Sequence, residues 1–262
     1  MIIAACVVGG TGLVIGLLLG VAGKIFEVQT DEKEVAIREV LPGNNCGGCG
    51  YAGCDALAKA IANGEAAPSA CPVGGAAVAE KIGEIIGAKV SVSRNVALVQ
   101  CAGTCDKSKN RFEYYGNMSC KQAVASTGGG QKICQYGCLG YGSCVAVCEF
   151  GALSIVDGVA RVDREACVAC GKCVAACPKN LITLVPYDNQ YFVTCSSKDL
   201  GKDTRQACQA GCLGCKMCEK ACEHDAIHVN GNNATIDYEK CTNCGECAKK
   251  CPVKIIRLSN DL

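Results

Sequence analysis

The sequence contains no tryptophan, only two histidines, six prolines and 5% aromatic residues. So little aromatic surface leaves no platform for stacking bases or caging a ligand, and nothing in the charge pattern points to nucleic acid. The two histidines, His224 and His228, stand outside the cysteine runs. That argues against mixed Cys/His zinc sites. Neither sign of charge is in excess, since 26 basic and 25 acidic residues leave a formal net charge of +1.

What the chain has in excess is cysteine, 26 in 262 residues. A disulfide framework belongs to short secreted domains with cysteines spread over loops. Here they fall two and three residues apart in a long chain, which favours metal. Soft sites built only from thiolates, with three or four cysteines per run, point to iron–sulfur clusters. Each cluster held by four thiolates adds about two net negative charges, so the loaded protein is acidic.

From Met1 to Gly23 no side chain is charged. That length suffices for one helix across a bilayer. The alternative, a cleaved signal peptide, would begin with a basic region, which is missing here, and would carry a shorter apolar run. Lys24, Lys33 and Arg38 follow the segment and no basic residue precedes it. The positive-inside rule then places the remainder in the cytoplasm, below a single-pass anchor in the cell membrane. Gly12, Gly16 and Gly20 fall on one helix face, where another helix could approach closely.

A charged helix is expected over Asp31–Val40, followed by NCGGCGYAGC and, after a helix over Asp55–Ala62, by CPVGG. Cys46, Cys49, Cys54 and Cys71 thus form a four-thiolate set for one [4Fe–4S] cluster, with structural zinc as the alternative. An Ala-rich helix over Val73–Gly87 and a short β segment over Lys89–Val99 follow.

The rest of the chain is an internal repeat. Cys134, Cys138, Cys144, Cys148, Cys167, Cys170, Cys173 and Cys177 align with Cys208, Cys212, Cys218, Cys222, Cys241, Cys244, Cys247 and Cys251. Between its two cysteine runs each copy has two apolar strands, around Asp157-Gly158 in one and Asn230-Gly231 in the other. These pairs supply the positive backbone angles of a tight hairpin. Each copy therefore resembles a two-cluster bacterial ferredoxin, in which the fourth cysteine of a run crosses to the other cluster. That resemblance implies the sets Cys212, Cys215, Cys218, Cys251 and Cys241, Cys244, Cys247, Cys222. In the first copy it implies Cys167, Cys170, Cys173 and Cys148. The remaining site has Tyr141 where the second copy has Cys215, leaving Cys138, Cys144 and Cys177. Cys134 is expected as its fourth ligand, with a three-iron cluster as the alternative. Of the cysteines left over, Cys101, Cys120, Cys195 and Cys208 are candidates for a further site or else inert buried thiols, while Cys6 and Cys105 are weaker candidates.

The glycine-containing apolar segment, NCGGCGYAGC…CPVGG, CQYGCLGYGSC and the ferredoxin runs together resemble the B subunits of the Rnf complexes, the ion-translocating ferredoxin:NAD oxidoreductases. The fold expected is α+β, with an anchor at 1–26, a small mainly helical cluster domain at 27–90, a connecting segment at 91–133, and ferredoxin-like modules at 134–190 and 191–262. The resemblance implies an electron relay of five [4Fe–4S] clusters, with leftover thiols for a sixth. It implies no catalytic residue in this chain. Soluble ferredoxin is the implied donor, and the other membrane subunits are the implied acceptors. Glu149 and Glu223 depart from the proline that often follows the fourth cysteine. Lys249, Lys250, Lys254 and Arg257 are candidates for an encounter patch with an acidic ferredoxin.

Overall fold

The computed structural model describes residues 9–10, 12–13, 15–21, 31–90 and 93–261. The expected membrane span lies largely outside them. Among the described residues no helix is long and apolar enough to cross a membrane. Residues 9–10, 12–13 and 15–21 are helical, and Leu13, Ile15, Leu17, Leu18, Leu19 and Val21 are all exposed.

The first folded unit is helical. Helix α1 (Glu32–Val40) starts at Asp31, whose carboxylate accepts from the Lys33 main-chain N–H at 3.0 Å, and acidic Glu32 and Glu34 in its first turn complement the helix dipole. Helix α2 is Cys54–Ala62 and α3 is Gly75–Ile86. Gly87 ends α3 in a left-handed cap, φ 75°, where glycine carries no Cβ penalty. Ile37, Leu57, Ile61 and Ile82 bring the three helices onto one core that includes Cys54 and Cys71. An ion pair from Arg38 Nε to Asp55 Oδ1, 2.5 Å, ties α1 to α2 at the surface.

Two-stranded antiparallel ladders make up the rest of the sheet structure. Strands β2 (Leu153–Val156) and β3 (Val159–Val162) form the first expected hairpin, with Asp157 and Gly158 at φ 49° and 73°. Strands β6 (Ile227–Asn230) and β7 (Asn233–Ile236) form the second. Its turn differs from expectation by one residue. Asn230 pairs with Asn233, so the positive angles fall on Gly231 and Asn232, 55° and 65°. The register is set by burial, because it keeps Ile227, Val229, Ala234 and Ile236 in the core.

Each ladder of the hairpin type is matched by a longer-range one. Strand β1 (Asn95–Val99) pairs with β4 (Ile182–Pro186), and β5 (Tyr191–Val193) pairs with β8 (Ile256–Leu258). The segment read as a connector between domains therefore begins with a strand of the first module, and the repeat is larger than its cysteine runs. Strand β1 is apolar from Val96 to Val99 because both faces are covered there. Ala97 and Val99 enter the core of the first module, while Val96 and Leu98 meet Val185 and Phe192, the latter from the second copy. Arg164 adds to this junction, its guanidinium 4.9 Å from the Phe192 ring centroid.

Short helices punctuate the modules: α4 (Cys120–Val124), α5 (Ser143–Ala146), α6 (Lys172–Ala176), α7 (Gly201–Ala207), α8 (Met217–Lys220) and α9 (Glu246–Lys250). The residue before α5, α6, α8 and α9 is left-handed in every case, Gly142, Gly171, Lys216 and Gly245, with φ 72°, 77°, 59° and 76°. It reverses the chain just after the second position of a cysteine run, so that the third cysteine returns on the helix toward the first.

Candidate metal centres

Four small cavities, each of about 20 Å³, have four cysteines in their walls. The last two hold expected sets, Cys222 with Cys241, Cys244 and Cys247, and Cys148 with Cys167, Cys170 and Cys173. Two further groups are drawn together by the mutual charge effects of their thiols. Cys218 feels the charges of Cys212 and Cys251, and Cys71 those of Cys54 and Cys49. Cys215 stands exposed in the loop between Cys212 and Cys218, and Cys46 is half-buried just ahead of Cys49.

The other two cavities group the cysteines differently from the expected pairing. One is lined by Cys120, Cys138, Cys144 and Cys177, and the other by Cys101, Cys134, Cys195 and Cys208. Cys134 is thus separated from Cys138, Cys144 and Cys177. The reason is the direction of the chain between the two cysteines. The Cys138 N–H donates to Cys101 Sγ at 3.3 Å, so this short stretch passes from one cavity wall to the next. Cys120 stands in the wall of the cavity beside the Tyr141 position. Its main-chain N–H donates to Ser143 Oγ at 3.0 Å, two residues from Tyr141, and the Tyr141 ring packs on Tyr114 at 5.4 Å between centroids. Tyr114 and Cys120 belong to the longer connection of the first copy. Sequence spacing carries no sign of this, because Cys120 lies in no run.

The cavity with Cys101 is built symmetrically. Cys101 and Cys134 come from the first copy, and Cys195 and Cys208 from the second. The Cys138 N–H to Cys101 Sγ bond has its counterpart in the Cys212 N–H to Cys195 Sγ bond, 3.3 Å in both. Cys101 lies just past the end of β1 and Cys195 just past the end of β5, which are the matching strands of the repeat.

Several observations bear on what fits in these cavities. Among the described residues no three or more potential ligands converge tightly enough for one metal ion. The thiols of the four cavities surround a volume, as a multi-iron cluster requires. A Cβ on Gly103 would stand 3.3 Å from Cys208 Sγ and 3.6 Å from Cys101 Sγ, so glycine keeps the space between these thiols open. Main-chain N–H groups point at the sulfurs, from Gly74 to Cys71 at 3.3 Å, Ala97 to Cys167, Leu181 to Cys177 and Ala226 to Cys222 at 3.4 Å. Such bonds stabilise negative charge on sulfur and tune a cluster's potential.

Burial raises the free thiols at the inner wall of the sites. Cys144 and Cys195 are pushed up to about 12, and Cys134, Cys173, Cys218 and Cys247 to about 11. These thiols hold their protons at neutral pH until a metal displaces them. The cavities are therefore coupled to metal loading and are poor sites for an exposed reactive thiolate. Of the cysteines in described residues only Cys105 is left outside the six groups, and Cys6 lies outside the described residues.

Neighbouring groups lie close together. Gly48, between Cys46 and Cys49, packs on Cys170, where an added Cβ would be 3.0 Å from the Cys170 carbonyl oxygen. Lys172 feels both Cys170 and Cys46 and pairs with Glu149 at 2.5 Å. Within each module the two groups share one core. On the second module an open groove of about 670 Å³ has Lys107, Lys249, Lys254 and Arg257 in its walls, with Asp261 as its acid. Three of the four residues named for the encounter patch meet there, and Lys250 does not.

Comparison with known proteins agrees with this chemistry. A family model described as a putative Fe-S cluster matches residues 41–73, and one described as a 4Fe-4S dicluster domain matches 166–226 and 211–255. The B subunit of the Na+-translocating ferredoxin:NAD+ oxidoreductase complex of Acetobacterium woodii is 49% identical over 95% of this chain and 75% of its own length. The B subunit of the ion-translocating oxidoreductase complex of Methanosarcina acetivorans is 42% identical over 98% of both chains. The B subunit of the proton-translocating ferredoxin:NAD+ oxidoreductase complex of Clostridium ljungdahlii is 40% identical over 94% of this chain and 88% of its own. With iron–sulfur domains at both ends of the cysteine-bearing part and identity of this extent over nearly the whole length, the chain belongs to the family of B subunits of the ion-translocating ferredoxin:NAD+ oxidoreductase complexes.

Proposed function

We propose that this chain relays electrons from reduced ferredoxin to the membrane subunits of such a complex through six [4Fe–4S] clusters in single file. The six ligand sets are the six cysteine groups above, with Cys120 completing the Tyr141 site and Cys101, Cys134, Cys195 and Cys208 holding a cluster between the modules. When bound, each cluster accepts and releases one electron. The chain itself supplies position, burial and N–H donors, and no residue makes or breaks a substrate bond.

The observation that carries the reading is the contact at each step of the file. Gly48 against Cys170 joins the N-terminal set to the Cys167 set. The first module's core joins that set to the one containing Cys138. The twin bonds onto Cys101 and Cys195 join the middle set to both neighbours. Cys247, which feels Cys218, joins the last two. The exposed apolar helical segment before residue 22 supports a single-pass anchor in the cell membrane, with the clusters on the cytoplasmic side. The ion moved is a matter for the other subunits, since relatives of this chain carry names with sodium and with protons.

A complex purified through this chain should contain other membrane subunits and reduce NAD with electrons from reduced ferredoxin. Recovery of the chain alone, brown but without NAD reduction, would instead favour a membrane-tethered polyferredoxin serving another redox complex.

The basic groove supports entry of electrons from an acidic ferredoxin near the second module. Lys249→Glu combined with Lys254→Glu should slow ferredoxin oxidation by roughly tenfold or more at low ionic strength, and the difference should shrink as salt screens the pair. An unchanged rate at low salt would rule the groove out as the docking surface.

A further inference from the structure

Among the described residues one charged side chain is buried, Lys132, at 4% exposure. It lines the cavity walled by Cys101, Cys134, Cys195 and Cys208. Its Nζ donates to the Gly103 carbonyl at 2.8 Å and, more weakly, to the Gly158 carbonyl at 3.5 Å. Among the described residues no carboxylate pairs with it in a salt bridge. Burying an ammonium with only carbonyl partners is costly unless a larger negative charge lies beside it. The charge of Lys132 acts on Cys208 from one side and on Cys138 from the other.

We propose that Lys132 sets the potential of the middle cluster, making it the easier to reduce and so a resting place for an electron between the two modules. The proposal depends on the six-cluster reading. A [4Fe–4S] site with four thiolates carries about two net negative charges, and reduction adds one electron and no proton. A fixed positive charge in the cavity wall stabilises the added charge, and low surrounding polarity strengthens the effect. Other charges act on the same thiols: Lys107 on Cys208, Lys179 and Asp199 on Cys134, and Arg257 on Cys101. None of these is buried as Lys132 is. The repeat sharpens the contrast. In the second copy the aligned residue is Gln206, which is exposed, so the charge belongs to one half of an otherwise symmetric site.

The experiment is a potentiometric titration of the iron-loaded full chain followed by EPR, with Lys132→Gln and Lys132→Arg. Lys132→Gln should keep full iron and shift one reduction step to lower potential by at least about tenfold in its equilibrium constant, about 59 mV for one electron. Lys132→Arg, which keeps the charge, should stay near the wild type. The proposal is overturned if every step in Lys132→Gln titrates as in the wild type, if Lys132→Arg shifts as far as Lys132→Gln, or if Lys132→Gln loses iron, which would make the side chain a bolt between Gly103 and Gly158 and nothing more. The premise is checked separately by iron content. If Cys101→Ala with Cys195→Ala loses no iron, the middle cluster itself is absent and the six-cluster reading fails first.

Discussion

Replacing Cys101 and Cys195 together by alanine is expected to remove one whole cluster and cut electron flow between the modules. Each copy then loses one of its two thiols in the shared cavity. Two remaining thiolates do not hold a cubane, so the chain should carry about one sixth less iron while the other clusters keep their signals. Because the middle site is the sole bridge in the proposed file, the loss should exceed the roughly 10–100-fold that follows removal of an outer partner of a metal site. Rapid mixing would show it as prompt reduction of the clusters nearest the donor and slow reduction of those beyond the break. Undiminished throughput in a variant that has lost this iron would show that electrons travel by another route.

The second large effect concerns Cys120 and Tyr141. Alanine at Cys120 leaves Cys138, Cys144 and Cys177 around their cavity, and such a site should lose one iron and show the EPR signature of a three-iron cluster. Adding Tyr141→Cys should restore the fourth iron, because residue 141 precedes the left-handed Gly142 just as Cys215 precedes the left-handed Lys216. Alanine at Cys134 should spare this site and damage the middle one. If Cys134→Ala and Cys120→Ala gave the same three-iron signal, the two cavities would have been assigned wrongly.

These two variants also mark the line between what the sequence shows and what it hides. Runs with fixed spacing read directly, because adjacent cysteines on one turn must face one cluster. The sets at Cys167–Cys170–Cys173 and Cys241–Cys244–Cys247 are of this kind, and their cavities contain the crossing cysteines Cys148 and Cys222 as the ferredoxin pattern implies. Hairpins are equally legible, since Asp-Gly and Asn-Gly between apolar runs admit few other conformations. The turn of the second hairpin is legible only to within a residue, for its position depends on which side chains are buried. Cys120 is hidden because its place depends on a long connection folding back against Ser143 and Tyr141. Cys101, Cys134, Cys195 and Cys208 belong to no complete run, and their meeting depends on how two modules pack, which local pattern does not encode. Cys134 is close to Cys138 along the chain yet lines a different cavity, for the same reason.

The symmetric middle site has a consequence for biogenesis. Each copy brings half of the thiols in the shared cavity, so in the proposed six-cluster file neither module alone could hold that cluster. Metal binding there would add free energy for docking the modules to that of the apolar junction of Val96, Leu98, Val185 and Phe192. During maturation the intramodular clusters can be inserted into each half as it folds, whereas the shared one waits for both. On the six-cluster reading the relay would stay electrically discontinuous until that cofactor arrived, and completion of the circuit would coincide with completion of the fold.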